Sequence, residues 1–267
     1  HKTLPALTQC ALLHVSGGLI DRNRLASNLA VFQTSSPSYV LLASIDRCLR
    51  LLDREKEKLF DAYAGNLRAF DRSAAQIRKL KILCHGSDTL KNHECFYAFD
   101  AGKIVISTRQ TNLTGNALAN LLRTRYAIET EMAFCDYIVA MTSICDDRDA
   151  LTLLSGALLD ADRNAVPGEN PGGAAFPPVL PRRIVTASEA TGMKGERLPL
   201  EKAGGMMSLE YIWAYPPGIP FIVPGEMIDA GVIVYLQQLS ENGVTVGSSG
   251  GGVKNSLVHA CRISDKT

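Results

Sequence analysis

The spacing of apolar and polar residues predicts several helices. Apolar residues recur at helical spacing from Leu41, and the pattern extends towards Leu80, which predicts one long helix that Gly65 could kink. Residues 21–32 form a shorter helical pattern that opens on Asp21, and residues 150–162 form another after two aspartates suited to capping. A helix as long as the first usually connects two parts of a structure, because a compact core seldom needs it.

Other apolar runs are short and read as strands. They predict a buried strand around Cys10–His14 and further strands over 96–99, 103–108, 137–144 and 256–263. Thr114 and Gly115 precede a predicted helix, and helical spacing returns over 198–203 and 228–241. The alternation of strand and helix between residues 96 and 162 favours a layered α/β unit.

One segment has the composition of a linker. Residues 165–181 contain eight prolines and glycines, namely Pro167, Gly168, Pro171, Gly172, Gly173, Pro177, Pro178 and Pro181. We therefore expect a domain boundary there.

Composition and charge exclude several classes of protein. The 267 residues include 28 Lys and Arg against 27 Asp and Glu, and 46% are hydrophobic, which argues against disorder and against bulk attraction to nucleic acid or anionic membranes. Seven cysteines without C-x-x-C spacing favour a reducing compartment. No apolar run approaches the roughly 20 residues that span a bilayer. The first residue is His1, so we expect a processed product, a designed piece or a fragment.

Three segments carry candidate chemistry, and each also has an ordinary structural interpretation. Lys2 could form a Schiff base with a carbonyl cofactor, although most lysines are solvated surface charges. Residues 33–39 offer Thr and Ser hydroxyls that could bind a phosphate or simply cap a helix. The proline-rich segment 215–220 could aim side chains at a site or form a docked strand edge, and Glu226 could face a cationic group or be solvated.

Metal and nucleotide sites lack support in the sequence. His14, His85, His93 and His259 show no ligand spacing with one another or with cysteines, so we expect no metal. Neither G-x-G-x-x-G nor G-x-x-x-x-G-K-[ST] occurs, and there is no G-x-S-x-G elbow.

Taken together, these segments resemble the Orn/Lys/Arg decarboxylases, which are pyridoxal-phosphate enzymes of the aspartate aminotransferase fold (fold type I). The resemblance runs nearly end to end, in the family's order, and is closer to the shorter branch that lacks the N-terminal receiver-like domain. It rests on residues 1–9 (HKTLPALTQ), 33–39 (QTSSPSY), 103–108 (KIVIST), 114–115 (TG), 215–220 (YPPGIP) and 224–226 (PGE).

The resemblance implies a role for individual residues. Lys2 would hold pyridoxal 5'-phosphate, and His1 would lie beside the cofactor phosphate. Thr34 and Ser35 would reach the phosphate of the neighbouring subunit's cofactor, because family active sites lie at a dimer interface. Glu226 would contact the distal cation of the substrate.

The resemblance also implies an α/β fold and a division of the chain. Residues 1–80 would end the large cofactor domain and include the long linking helix, and 81–164 would form a small α/β domain. Residues 165–181 would be the linker, and 182–267 the family's C-terminal α+β domain.

The resemblance places most of the cofactor domain ahead of the lysine, including the carboxylate that pairs with the pyridine nitrogen. We therefore expect this chain alone to be inactive and to need a separate N-terminal fragment, unless the gene is truncated. A cytoplasmic homodimer or higher oligomer is expected, with a plastid or another organelle left open.

Three functions remain open from the sequence. The first is decarboxylation of a basic amino acid in polyamine biosynthesis, with arginine preferred over lysine or ornithine. The second is a non-catalytic regulatory or assembly partner of a full-length homologue. The third is another fold type I activity, such as a transaminase or lyase, which the 215–226 region disfavours.

Overall fold

The computed structural model describes residues 2–86, 88, 94, 96–170, 180–215, 218–250 and 257–263. The helices are α1 (Arg22–Phe32), α2 (Tyr39–Ala74), α3 (Gly115–Tyr126), α4 (Arg148–Asn164), α5 (Ala187–Thr191) and α6 (Ala230–Glu241). The strands are β1 (Lys81–Ile82), β2 (Lys103–Ser107), β3 (Met132–Ala133), β4 (Tyr137–Met141), β5 (Glu196–Pro199), β6 (Met207–Ser208), β7 (Ile212–Tyr215), β8 (Ile219–Ile222), β9 (Thr245–Ser248) and β10 (Leu257–Cys261). The chain divides into two compact units.

The first unit contains the chain up to Phe70 together with Thr142–Thr152. Its helix α1 begins as predicted at Asp21, whose carboxylate accepts the N–H groups of Asn23 and Arg24 at 2.9 and 3.1 Å. No residue of α1 is buried. The long helix α2 is also confirmed, but it ends at Ala74, before the predicted limit at Leu80.

The second unit, Asp71–Met141 with Leu153 onward, contains the sheets. Strands β1, β2, β4 and β3 form one antiparallel sheet in that order, which accounts for the predicted strands at 103–108 and 137–144. Helix α3 packs against β4, so the predicted helix-and-sheet layers are confirmed. The large side chains here that are almost wholly shielded from solvent include Ile104, Ile106, Leu118, Leu122, Ile138 and Leu158.

A buried carboxylate explains why α2 stops before Leu80. Asp162 of α4 is 6% exposed, and its oxygens accept the backbone N–H groups of Arg78, Lys79 and Leu80 at 3.1, 2.7 and 2.8 Å. These N–H groups therefore cannot continue the helical ladder, and the chain turns into β1 instead.

Two small antiparallel sheets, β5-β10-β6 and β8-β7-β9, complete the second unit. They share a hydrophobic cluster with α6, and Cys135 from the loop before β4 belongs to the same cluster. The Asn116 amide donates to the carbonyl of Asn242 at 2.8 Å. The region after residue 180 thus contacts the loop between β3 and β4 and helix α3.

Three predicted elements are wrong. Residues 10–14 form no strand and are mostly exposed, because no neighbouring strand pairs with them. Residues 96–99 are likewise irregular. Residues 196–199 form β5, paired with β10, and only a three-residue 3₁₀ turn follows where a helix over 198–203 was predicted.

The first residues of the predicted linker are attached to the four-stranded sheet domain. Gly168 donates its N–H to the carbonyl of Gln110, and Asn170 donates to Thr108 and Leu113. Residues 171–179 lie outside the described residues, so the predicted boundary over 165–181 stays a prediction.

Candidate active site

The segment that carries Lys2 is attached to the first turns of α2. Leu7 donates its backbone N–H to the Ser44 hydroxyl at 3.2 Å, and that hydroxyl donates to the carbonyl of Leu41 at 2.7 Å. Lys2 itself is exposed. His1, the other predicted cofactor contact in this segment, lies outside the described residues.

The Thr/Ser segment connects α1 to α2 and is exposed throughout. The Thr34 hydroxyl accepts the N–H of Ser36 at 3.1 Å, and the Ser38 hydroxyl accepts the N–H of Leu41 at 3.4 Å, at the start of α2. Ser38 thus has the ordinary capping role that the sequence also allowed. Thr34 accepts its hydrogen bond, so its O–H proton can still be donated to an anion.

Glu226 lies in the turn that joins β8 to the segment before α6. Gly225 has the positive φ, +90°, that the third residue of a type II turn requires, and Pro224 is a common second residue of such a turn. A Cβ on Gly225 would lie 2.5 Å from the carbonyl oxygen of Val185, so only glycine fits. The Glu226 Oε2 accepts the N–H of Val223 at 2.9 Å, which occupies one side of this carboxylate.

The predicted site residues fall in different units. Lys2, Thr34 and Ser35 belong to the first unit, whereas Glu226 belongs to the second.

Sequence reasoning missed one buried carboxylate, Glu210, in the connection from β6 to β7. It is 4% exposed, and its Oε1 accepts the backbone N–H of His259 at 2.8 Å. A signal was available, because Glu210 is the one charged residue in the otherwise uncharged run 203–225. Such a charge inside an apolar run suggests a buried ionic group.

Two negative findings apply to the described residues only. No group of three or more His, Cys, Asp or Glu side chains there is arranged to hold a metal ion. No helix in the described ranges is long and apolar enough to cross a membrane. His93 and Cys95 lie outside these ranges.

Comparison with known proteins identifies the family. The family model "Orn/Lys/Arg decarboxylase, major domain" matches residues 1–135. The chain belongs to the Orn/Lys/Arg decarboxylase family. The model of this family's C-terminal domain matches residues 179–246, which include Glu210 and Glu226.

Curated relatives include two arginine decarboxylases. That of Bacillus subtilis is 28% identical over 271 residues, covering 98% of this chain and 53% of the relative. That of Halalkalibacterium halodurans is 28% identical over 250 residues, covering 92% and 50%. The chain therefore spans about half the length of the relatives it matches.

Solved structures with the same fold include two lysine decarboxylases. The constitutive enzyme of E. coli superposes with a TM-score of 0.71 at 19% identity, covering 98% of this chain and 48% of that one. The enzyme of Francisella novicida gives 0.76 at 18% identity, covering 97% and 47%. These likenesses establish the α/β fold of the C-terminal part of an Orn/Lys/Arg decarboxylase.

The donor set on this chain fits two ends of pyridoxal phosphate, the cofactor this family uses. A lysine amine suits the cofactor's aldehyde, and the exposed hydroxyls of Thr34 and Ser35 suit a phosphate.

Proposed function

We propose that this chain is part of a pyridoxal-phosphate-dependent decarboxylase of a basic amino acid, with arginine preferred over lysine or ornithine, and that the product enters polyamine biosynthesis. The observation that carries the proposal is Lys2 within a family match that includes the C-terminal domain. The preference for arginine is supported by the names of the curated relatives.

In this proposal the cofactor, once bound, supplies an electron-accepting ring that stabilises the charge left when CO₂ departs. Lys2 would hold the cofactor through Nζ, and the same amine would take part in releasing the product. Thr34 and Ser35 donate O–H groups to the cofactor phosphate of a neighbouring subunit. Glu226 attracts the distal cation and thereby orients the bond to the carboxylate.

The proposed enzyme is an oligomer whose active site includes two subunits. Exposed apolar side chains of the first unit support this, since Leu19 is 99% exposed and Phe32 is 85% exposed. The proposal also includes the need for the N-terminal half that the family places ahead of the lysine, and a cytoplasmic location. The domain limits near residues 80, 164 and 181 remain proposals as well.

The test is covalent capture of the cofactor. The full chain is incubated with pyridoxal phosphate, reduced with borohydride and digested, and the labelled peptide is identified by mass. We expect one label at Lys2, with Lys2→Arg unlabelled and Lys58→Arg, an exposed lysine of α2, still labelled at Lys2. Labels scattered over surface lysines would argue against the cofactor site.

A second candidate is a non-catalytic partner that docks on a full-length homologue. The exposed apolar residues of α1 favour it, because they suit an interface whether or not the chain is catalytic. The two are separated by mixing the chain with a homologous N-terminal half and measuring amine release from arginine, lysine and ornithine. Association without amine release, together with unlabelled Lys2, would favour the partner role.

A further inference from the structure

The backbone of Leu7 is attached to helix α2 through the Ser44 hydroxyl. This hydroxyl accepts the N–H of Leu7 at 3.2 Å and donates its own proton to the carbonyl of Leu41 at 2.7 Å. On the other side of the same residue, the Cys10 thiol donates to the carbonyl of Leu7 and lies 3.9 Å from the Ser44 oxygen. Both polar groups of the Leu7 backbone are therefore held beside the first turns of α2.

The bend that brings Cys10 back to Leu7 has an unusual backbone conformation at Gln9. The φ of Gln9 is +70°, in the left-handed region that residues other than glycine rarely adopt. Ala127 also has a positive φ, but it caps the end of α3, where left-handed residues are common. Gln9 lies at the end of no helix. Strained backbone of this kind persists only where the surrounding contacts hold it, and such positions concentrate at functional sites.

The chain between Leu7 and Lys2 has little conformational freedom. Pro5 has a φ that its own ring fixes, and the N–H of Ala6 donates to the carbonyl of Leu4 at 2.8 Å across it. This hydrogen bond closes a three-residue turn, and the φ that such a turn prefers at its centre is close to that of proline. Because the intervening backbone is stiff, the attachment of Leu7 also restricts where the backbone of Lys2 can lie.

We propose that Ser44 is a positioning residue for Lys2, which holds Leu7 so that the lysine amine approaches the cofactor aldehyde in one arrangement. This role rests on the proposed function, whereas the attachment itself rests on the hydrogen bonds of the chain. The reaction of an amine with a carbonyl depends on close approach and orientation, so a lysine on a loosely attached segment reacts more slowly. Ser44 acts through the backbone and needs no contact with the cofactor.

The first test measures how fast Lys2 captures the cofactor. The full chain is mixed with pyridoxal phosphate and reduced with borohydride at increasing times. The amine condenses with the aldehyde with loss of water, and hydride from the borohydride then reduces the resulting C=N bond. We expect Ser44→Ala to slow the labelling of Lys2 by about three- to tenfold, the range that the loss of one neutral hydrogen bond implies.

Two further variants separate the hydroxyl of Ser44 from a general effect on a helix. Ser44→Thr keeps a hydroxyl that can donate to the same carbonyl, and it should restore the wild-type rate. Ser27→Ala removes the hydroxyl of a serine in α1 that donates to the carbonyl of Asn23 at 3.0 Å, and it should leave the rate unchanged. Wild-type labelling in Ser44→Ala overturns the proposal, as does equal slowing by Ser27→Ala.

A second pair of variants changes the bend without touching α2. Gln9→Gly suits the positive φ and should label Lys2 at least as fast as the wild type. Gln9→Val disfavours this φ and should slow the labelling as Ser44→Ala does. Urea unfolding followed by circular dichroism should give one midpoint for both chains, because Gln9 is exposed. Equal labelling rates in the two Gln9 variants also overturn the proposal.

Hydrogen exchange separates this proposal from the proposed function. Exchange of the Leu7 amide, measured by NMR without cofactor, should be faster in Ser44→Ala and unchanged in Ser27→Ala. An exchange rate that Ser44→Ala leaves unchanged overturns the attachment, even where Lys2 is labelled. If the wild type does not label at Lys2, the proposed function fails, and faster exchange in Ser44→Ala would then reduce Ser44 to a structural anchor.

Discussion

Helices α1 and α3 are nearly equal in length, with 11 and 12 residues, but they differ in how many of their residues are buried. Both begin at an oxygen-bearing cap, Asp21 in one and Thr114 in the other. Helix α3 buries four residues, including Leu118 and Leu122, whereas α1 buries none. Capping therefore decides where a helix starts, and only tertiary packing decides whether its apolar face is used.

The difference extends to the units that contain these helices. In the first unit Leu19 and Phe32 stand almost entirely in solvent, while in the second unit Ile104 and Ile138 are fully buried. The second unit thus carries most of the hydrophobic stabilisation of the chain. The first unit keeps apolar surface that suits contact with another polypeptide.

The largest expected effect on stability comes from removing the Asp162 carboxylate in the second unit. Asp162→Ala should lower the free energy of unfolding by about 4 kcal/mol, because three backbone N–H groups lose a buried carboxylate acceptor. Urea unfolding followed by circular dichroism measures the loss. Asp149→Ala, an exposed residue of the same helix, should cost less than about 1 kcal/mol. Similar losses in both variants would contradict the role given to Asp162.

The next effect compares the two short helices directly. Leu122→Ala should cost about 3 kcal/mol because it leaves a cavity, whereas Phe32→Ala should change stability by no more than about 0.5 kcal/mol. Urea unfolding at low protein concentration gives both values. If Phe32→Ala were the more costly change, the exposed face of α1 would be part of a core.

A third change tests whether the exposed surface mediates association. Phe32→Ser should weaken self-association at least about tenfold, which is near 1.4 kcal/mol, with little effect on folding. Sedimentation velocity across a concentration series measures it. Leu180→Ser, which is 90% exposed in the second unit, is the matched control and should leave association unchanged. If both substitutions weakened self-association equally, this would contradict the placement of the interface on the first unit.

The smallest effect concerns a surface carboxylate in the second unit. The backbone N–H of Gly102, helped by the Lys103 ammonium, lowers the pKa of Asp100, against a smaller opposing effect of burial. A carboxyl group whose pKa is lower in the folded state stabilises the fold above its ordinary pKa. This stabilisation is lost as the pH falls through the pKa of the folded state. Asp100→Ala should therefore cost less than about 1 kcal/mol at neutral pH, because the group is exposed. The cost should shrink as the pH falls below the ordinary pKa of an aspartate, and a cost independent of pH would contradict this assignment.

Local signals in the sequence were read correctly where the partners are close in the chain. The caps at Asp21 and Thr114 and the aspartate pair before α4 all act within four residues, and Ala150 donates its N–H to Asp147 at 2.9 Å. The strands at 10–14 and 96–99 were wrong because an apolar run becomes a strand only when another strand pairs with it.

Two buried carboxylates could not have been assigned partners from the sequence. Asp162 accepts from residues up to 84 positions away, and Glu210 accepts from His259, 49 positions away. The periodicity of apolar residues relates only residues that are close along the chain, so it cannot predict such contacts. For the candidate site, the local chemistry of Lys2, Thr34 and Ser35 was compatible with ordinary surface and turn roles, and only the family resemblance raised them above those roles.

The Asp162 contact also has a consequence for synthesis of the chain on the ribosome. Asp162 is made 82 residues after Leu80, which at roughly 5–20 residues per second is a delay of about 4–16 s. During that interval the N–H groups of 78–80 have no carboxylate acceptor, and the end of α2 is not yet defined. The carboxyl-terminal boundary of α2 is therefore fixed only seconds after the helix itself has been synthesised.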